Sequence, residues 1–257
     1  MSRTITRAVV AVGGAGTKMA PITRILPKEM LPAGRMPILE HLVHELRAAW
    51  VTDVLFVISA RKPQIPAYFG SGTAYGMDFS YRVQDDGAGP GAPVLAAETW
   101  TQGQPFVLAF GDNLIRGAAD TETPLQRLVA GTADCSVLTR VFPADSILAH
   151  ETLLGAADAP GTGPGSAAVV FDRDLLDHAG APWVHVCAAR WVLGPFVFDA
   201  LRACPPRPTG ELYLIDAVRR WISTGNHLTA LPLRPDDLRF NCDNWETYHD
   251  AVAALRP

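Results

Sequence analysis

Gly13-Gly-Ala-Gly-Thr-Lys-Met-Ala-Pro-Ile-Thr-Arg-Ile-Leu-Pro-Lys-Glu-Met-Leu-Pro32 is the stretch from which the fold can be read. It follows Arg7-Ala-Val-Val-Ala-Val12, a short apolar, β-branched run that predicts a strand buried in a parallel sheet. Beyond it, Ile38, Leu39, Leu42, Val43 and Leu46 recur at helical spacing between Pro37 and Ala49, and Pro37 suits a first helical turn. Asp53 to Ser59 predicts a second buried strand. Strand, glycine loop, helix, strand is the opening of a doubly wound α/β sheet.

The same patterns extend along the chain. Strands are expected at Phe79 to Val83, Phe106 to Phe110, Cys135 to Phe142, Ala167 to Phe171, Val184 to Leu193 and His227 to Leu231. Helices are expected at Pro93 to Trp100, Pro124 to Ala130, Pro195 to Arg202, Leu212 to Thr224 and Trp245 to Leu255. Gly155 to Gly165 is rich in Gly, Ala and Pro and reads as a surface loop. No repeat or linker divides the chain, so one domain over residues 1–257 is expected, with a mostly parallel mixed sheet flanked by helices.

Composition narrows the function. A formal net charge of −4 advertises neither nucleic acid nor an anionic membrane as partner. The cysteines Cys135, Cys187, Cys204 and Cys242 form no CxxC pair and read as reduced thiols. Ala8 to Val12 is too short for a secretory leader, and no run reaches the roughly 20 apolar residues of a membrane span, so the cytoplasm is the expected location. Lysine is confined to Lys18, Lys28 and Lys62, and two of these fall in the glycine- and proline-punctuated stretch. His41 and His44 share a helix without a third ligand, and Asp236-Asp237 after Pro235 reads as a turn.

A glycine loop between strand and helix lets backbone N–H groups crowd around phosphate oxygens. It is not a Walker A loop, because Gly16-Thr17-Lys18 has the wrong order. It is not a dinucleotide fingerprint either: Met19 stands at the third glycine position, and the second strand ends in Ser59-Ala60-Arg61 without an acid.

The full stretch, with Pro37-Ile-Leu after it, resembles the signature of sugar-nucleotide pyrophosphorylases, and most of all bacterial UTP–glucose-1-phosphate uridylyltransferases. Looser likenesses continue through Gln84-Asp-Asp-Gly-Ala-Gly-Pro-Gly-Ala-Pro93, Phe110-Gly-Asp-Asn113, Gly210-Glu-Leu-Tyr-Leu-Ile-Asp-Ala217 and Arg239-Phe-Asn-Cys-Asp-Asn244. The resemblance implies a fold of the nucleotide-diphospho-sugar transferase type. It also implies a Mg²⁺-dependent reaction in which a nucleoside triphosphate, UTP ahead of dTTP, meets a sugar-1-phosphate and releases pyrophosphate. Both reactants are anionic, so that reaction calls for cations and a metal rather than a nucleophilic side chain.

Carried onto this sequence, the resemblance gives Lys18 the β- and γ-phosphates, Lys28 the α-phosphate and Asp112 the metal. Asn241 is the second metal ligand. The nucleotide is held by Gly13, Gly14, Ala15, Gly16, Thr17, Gln84, Gly89 and Gly91, with Gln84 reading a pyrimidine edge. Glu211 takes sugar hydroxyls and Arg173 the sugar phosphate. Glu211 also has a bland reading, as an acid complementing the dipole of the helix that begins at Leu212.

Four positions depart from the family pattern: Lys18 where arginine is usual, Ala92 where a polar residue is common, Arg173 for lysine, and Asn241 for aspartate. Asp243 stands close to Asn241, but on a continuing strand its side chain would face the other way. The departures keep two further readings open, the same chemistry on another phosphate or phosphonate and a non-catalytic binding relative. Oligomeric state is not readable from the residues, and a homo-oligomer stays open.

Overall fold

The structure is a computed structural model that describes residues 5–84, 87–118, 122–146, 152–158, 169–171 and 180–255. Arg7–Val12 forms β1. The glycine stretch follows as three 3₁₀ turns (Thr17–Met19, Ile22–Arg24, Lys28–Met30) and a small ribbon of β2 (Pro32–Ala33) and β3 (Met36–Pro37). Next come α1 (Ile38–Ala48), β4 (Asp53–Ser59), α2 (Gln64–Phe69), β5 (Asp78–Gln84), α3 (Ala92–Ala96), α4 (Glu98–Thr101), β6 (Phe106–Phe110) and β7 (Asn113–Arg116). The remainder is α5 (Pro124–Val129), β8 (Cys135–Pro143), β9 (Leu153–Ala157), β10 (Val169–Phe171), β11 (Trp183–Leu193), α6 (Phe196–Arg202), α7 (Leu214–Ile222), β12 (Leu228–Pro232), β13 (Leu238–Asn241) and α8 (Trp245–Ala254).

One sheet runs in the order β10-β12-β8-β11-β6-β1-β4-β5, with β9 also pairing β11. β1 lies parallel between β4 and β6, β4 is parallel to β5, and β8 is parallel to β12. β11 is antiparallel to β6, β8 and β9, and β10 to β12. Seven of the nine strands in this described sheet therefore run one way, and β10 and β11 oppose them. Successive residues of β1 face opposite sides: Val10 joins a cluster with Leu39, Leu42 and Leu128, while Val9 joins one with Val197, Leu201 and Val218. Helices α1 and α5 thus cover one face and α6 and α7 the other, which is the doubly wound arrangement expected.

Several local expectations change. Leu153–Ala157 pairs with β11, so the segment expected as a loop from Gly155 begins in a strand. Residues 159–165 lie outside the described set, as do the first two residues of the strand expected at 167–171. The helix expected from Pro93 to Trp100 is divided at Ala97. The helix expected from Leu212 starts at Leu214, so Glu211 precedes it in a loop. α2 and β7 had no periodic signal: each is short, and Pro66 sits inside α2. The four cysteines are free and buried.

Two features outside the sheet gather the functional stretch. β13 pairs antiparallel with β7, setting Asn241 opposite Asn113. A third apolar cluster of Met19, Leu31, Ile38, Leu114, Cys242 and Ala251 ties the glycine stretch to β7 and α8.

Candidate active site

β1 and β6 end side by side, so the loops that follow them meet at the sheet's carboxyl edge, where α/β folds place ligands. The turn Lys28–Met30 turns Lys28 inward until the residue is only 9% exposed. Its ammonium meets Asp112, just past β6, at 2.5 Å. Burial pushes the Lys28 ammonium down, but the charges of Asp112, Glu29 and Asp243 and the hydrogen bond to Asp112 outweigh it and hold the pKa above the usual lysine range. Burial likewise pushes the Asp112 carboxyl up. The Lys28 charge and hydrogen bond, the Asn113 hydrogen bond and Lys62 prevail, and its pKa falls to about 2. Beneath them Lys62 clamps the buried carboxylate of Glu29 at 2.7 and 2.8 Å.

Asn113 organises the acidic turn. Its amide nitrogen donates to Asp112 Oδ1 at 2.9 Å and makes a longer contact to Asn241 Oδ1 at 3.4 Å. Its own Oδ1 accepts from Arg239 at 3.0 and 3.2 Å. The oxygens of Asp112 and Asn241 thereby converge on one donor. The peptide N–H of Cys242 also donates to the Asp112 carbonyl at 2.8 Å, so the two segments are stitched by backbone as well.

Two chambers open around this pair. One, about 360 Å³, is lined by Gly13, Gly14, Gln84, Gly89, Asp112 and Glu211 among others. The other, about 380 Å³, includes Thr17, Thr23, Arg24, Arg61 and Lys62. They share Gly14, Ala15 and Lys28, so Lys28 stands at their junction.

The structure brings together most of the expected residues. A Cβ on Gly13 would lie 2.2 Å from Gln84 Nε2, so only glycine lets the loop reach that side chain. Gly16 takes the left-handed conformation at φ 66°, and its carbonyl accepts from the Thr23 hydroxyl at 2.8 Å. Gly89 and Gly91 also admit a close protein neighbour. A Cβ on either would strike the Leu212 carbonyl, at 2.6 and 2.9 Å, so these glycines admit the chain that carries Glu211. The Glu211 carboxylate accepts from Thr209 at 3.1 Å and Tyr213 at 3.4 Å rather than sitting on a helix end.

Lys18 turns to Asp243, 2.7 Å away, and is not among the residues lining either chamber. The expectation that Asp243 faces away is corrected. β13 stops at Asn241, a tight turn follows in which Asp243 N donates to Asn241 O at 2.8 Å, and the carboxylate swings to Lys18. Arg173 and the pair Asp85-Asp86 lie outside the described residues. Asp237 is more than a turn residue: it is buried against Arg127 at 2.5 Å. Sequence reasoning assigned no role to Asn113, Arg190 or Arg239. The available signal for Arg190 was a lone charge inside the apolar run His185-Val-Cys-Ala-Ala-Arg-Trp-Val-Leu193.

Sheet order and cleft together define a doubly wound α/β protein with its charged residues gathered beside a glycine loop. The sequence matches the nucleotidyl transferase family over residues 7–147, and the chain belongs to that family. It is 27% identical over 230 residues to a glucose-1-phosphate thymidylyltransferase of Streptomyces antibioticus, covering 88% of this chain and 60% of that protein. The chain thus spans about three-fifths of that relative's length. A UTP–glucose-1-phosphate uridylyltransferase of Streptococcus pneumoniae is 24% identical over 249 residues, covering 85% of this chain and 80% of that protein. The fold matches a crystal structure of UDP-glucose pyrophosphorylase complexed with UDP-glucose at a TM-score of 0.80 and 22% identity, over 97% of this chain and 98% of the other.

Proposed function

We propose that this chain, as one unit over residues 1–257, transfers a nucleotidyl group from a nucleoside triphosphate to a sugar-1-phosphate such as glucose-1-phosphate and releases pyrophosphate. The observation that carries the reading is the Lys28–Asp112 pair at the junction of two chambers beside a glycine loop. The named relatives support the same class of reaction.

The chemistry follows from charge. Two polyanions must meet, so the site has to neutralise repulsion and hold the reacting groups in line. Lys28 gives its charge to the α-phosphate and loop N–H groups from Gly13 to Thr17 cradle the phosphates. The Gln84 Oε1 is buried and has no hydrogen-bond partner among the described residues, so it wants a donor. The protonated N3 of uracil or thymine would supply one, which fits UTP, with dTTP as the alternative. Glu211 receives sugar hydroxyls, and Arg173 is assigned to the sugar phosphate.

The donor set suits Mg²⁺. Asp112 and Asn241, whose oxygens already converge on Asn113, would hold it through hard oxygen donors. When bound, such an ion would supply charge neutralisation at the phosphates. Asn241 brings no charge, so the ion is held less tightly than two carboxylates would hold it.

We assign the protein to the cytoplasm; no helix among the described residues is long and apolar enough to cross a membrane. Pyrophosphate release should be measured for triphosphates crossed with sugar-1-phosphates in the presence of Mg²⁺. Turnover of UTP or dTTP with a hexose-1-phosphate is expected. Turnover only with another phosphate or phosphonate would move the acceptor assignment, and binding without turnover would end the enzymatic reading.

A further inference from the structure

Arg190 is fully buried in the middle of β11. It gets there through an irregularity. Cys187 pairs with Thr139 and Trp191 with Val137, so β11 carries two extra residues between those partners. Ala189 within the bulge is left-handed at φ 60°, a conformation that strains a non-glycine residue. Bulges of this kind re-aim a side chain, and they concentrate beside functional sites.

Every N–H of the re-aimed guanidinium finds an acceptor. Nε faces the Glu45 carboxylate at 3.1 and 3.2 Å. One terminal nitrogen donates to Glu45 at 2.7 Å and to the Asn113 carbonyl at 2.9 Å. The other donates to the Ala189 carbonyl at 3.1 Å and, at a longer 3.4 Å, to the Phe110 carbonyl. Phe110 and Asn113 are the residues on either side of Gly111-Asp112. Arg190 therefore grips both ends of the acidic turn by its backbone, while Arg239 grips it through the Asn113 side chain.

A buried ion pair is weak ground for stability, since apolar residues of like volume serve as well or better. The Arg190–Glu45 pair alone does not account for a planar fork spread over two backbone carbonyls that bracket one carboxylate. We infer that Arg190 is a positioning residue whose work is to hold Asp112 in its metal-ready orientation, with Glu45 orienting the guanidinium from α1. This rests on the reading of Asp112 as a metal ligand.

The experiment compares Arg190→Lys, which keeps the charge but not the fork, with Ile222→Ala, a cavity variant at the end of α7. Mn²⁺ binding is read by EPR titration and folding by thermal melting. If the turn depends on the fork, Arg190→Lys weakens Mn²⁺ binding by roughly 10- to 100-fold while Ile222→Ala leaves it within twofold. Where turnover is measurable, the Mg²⁺ needed for half-maximal rate rises by the same factor and KM for the sugar phosphate stays near wild type. Unchanged Mn²⁺ affinity in Arg190→Lys, or equal losses in both variants, overturns the inference, as does a wild-type protein that binds no Mn²⁺. Should Arg190→Lys fail to fold, Glu45→Gln decides by the same readouts: weakened Mn²⁺ binding supports the inference and intact binding overturns it. A wild-type protein that binds Mn²⁺ yet turns over no substrate pair would end the transferase reading and leave this test standing.

Discussion

The ammonium of Lys28 lies 2.5 Å from the carboxylate of Asp112, across 84 residues of chain, and the pair is largely shielded from water. Each member is a misfit alone in such a place. Asp112→Ala is expected to abolish turnover while the fold survives. It should also destabilise measurably, because it strands the buried Lys28 charge. Lys28→Met combined with Asp112→Leu should be more stable in urea melts than Asp112→Ala alone. A double variant weaker than the single would show that the pair contributes net stability rather than mutual neutralisation.

The Lys18–Asp243 pair is the opposite case. Lys18 is about half exposed, and an ion pair of that kind contributes only about 0–1 kcal/mol. Asp243→Asn should therefore leave the urea midpoint almost unmoved. By releasing Lys18 towards the phosphates it should lower KM for the triphosphate several-fold. A raised KM would mean that Asp243 serves the site directly.

Gly111→Ala tests the acidic turn from the other side. A Cβ there would lie 2.3 Å from Val12 Cγ1, against a core strand that cannot yield. Overpacking of this type costs about 1–3 kcal/mol. Because the strain falls next to Asp112, the loss in kcat should exceed the loss seen at any equally destabilising site remote from the cleft.

His185 sets a pH dependence of stability. It is buried on β11 beside Thr139, and burial, only partly opposed by the charge of Asp158, lowers its pKa to about 4. Between that value and the ordinary 6.5 the unfolded chain binds more protons than the folded one, so stability rises with pH across the window. The contribution is fully present above pH 6.5 and is lost as pH falls towards 4. Denaturant midpoints measured across that range should show this slope in the wild type and a shallower one in His185→Gln.

Trp50 closes α1 in the left-handed conformation at φ 61°, with Val51 N donating to Leu46 O at 3.1 Å. Glycine is the residue that fits this cap without strain. Trp50 is 64% exposed, so little packing is lost with it. Trp50→Gly should raise stability by about 1 kcal/mol, read as a higher melting temperature. A lower one would mean that the exposed indole is covered in solution.

Local pattern was enough to read the strand–glycine loop–helix–strand opening and the two-sided burial of β1, while the family resemblance singled out Lys28, Asp112, Gln84 and the loop glycines as candidates. Each of these depends on residues within a turn or two of one another: period 2 in strands, 3.6 in helices, and glycine where backbone must come close. What meets what was decided by tertiary structure. Nothing near Asp243 foretold Lys18 as its partner, 225 residues away. Nothing near Asp112 announced that Arg190 would reach its turn through a bulge. The added register within β11 and the early end of β13 are set by packing between elements. Buried charges must find counter-charges wherever the folded chain brings them, and no periodicity along the sequence records that requirement.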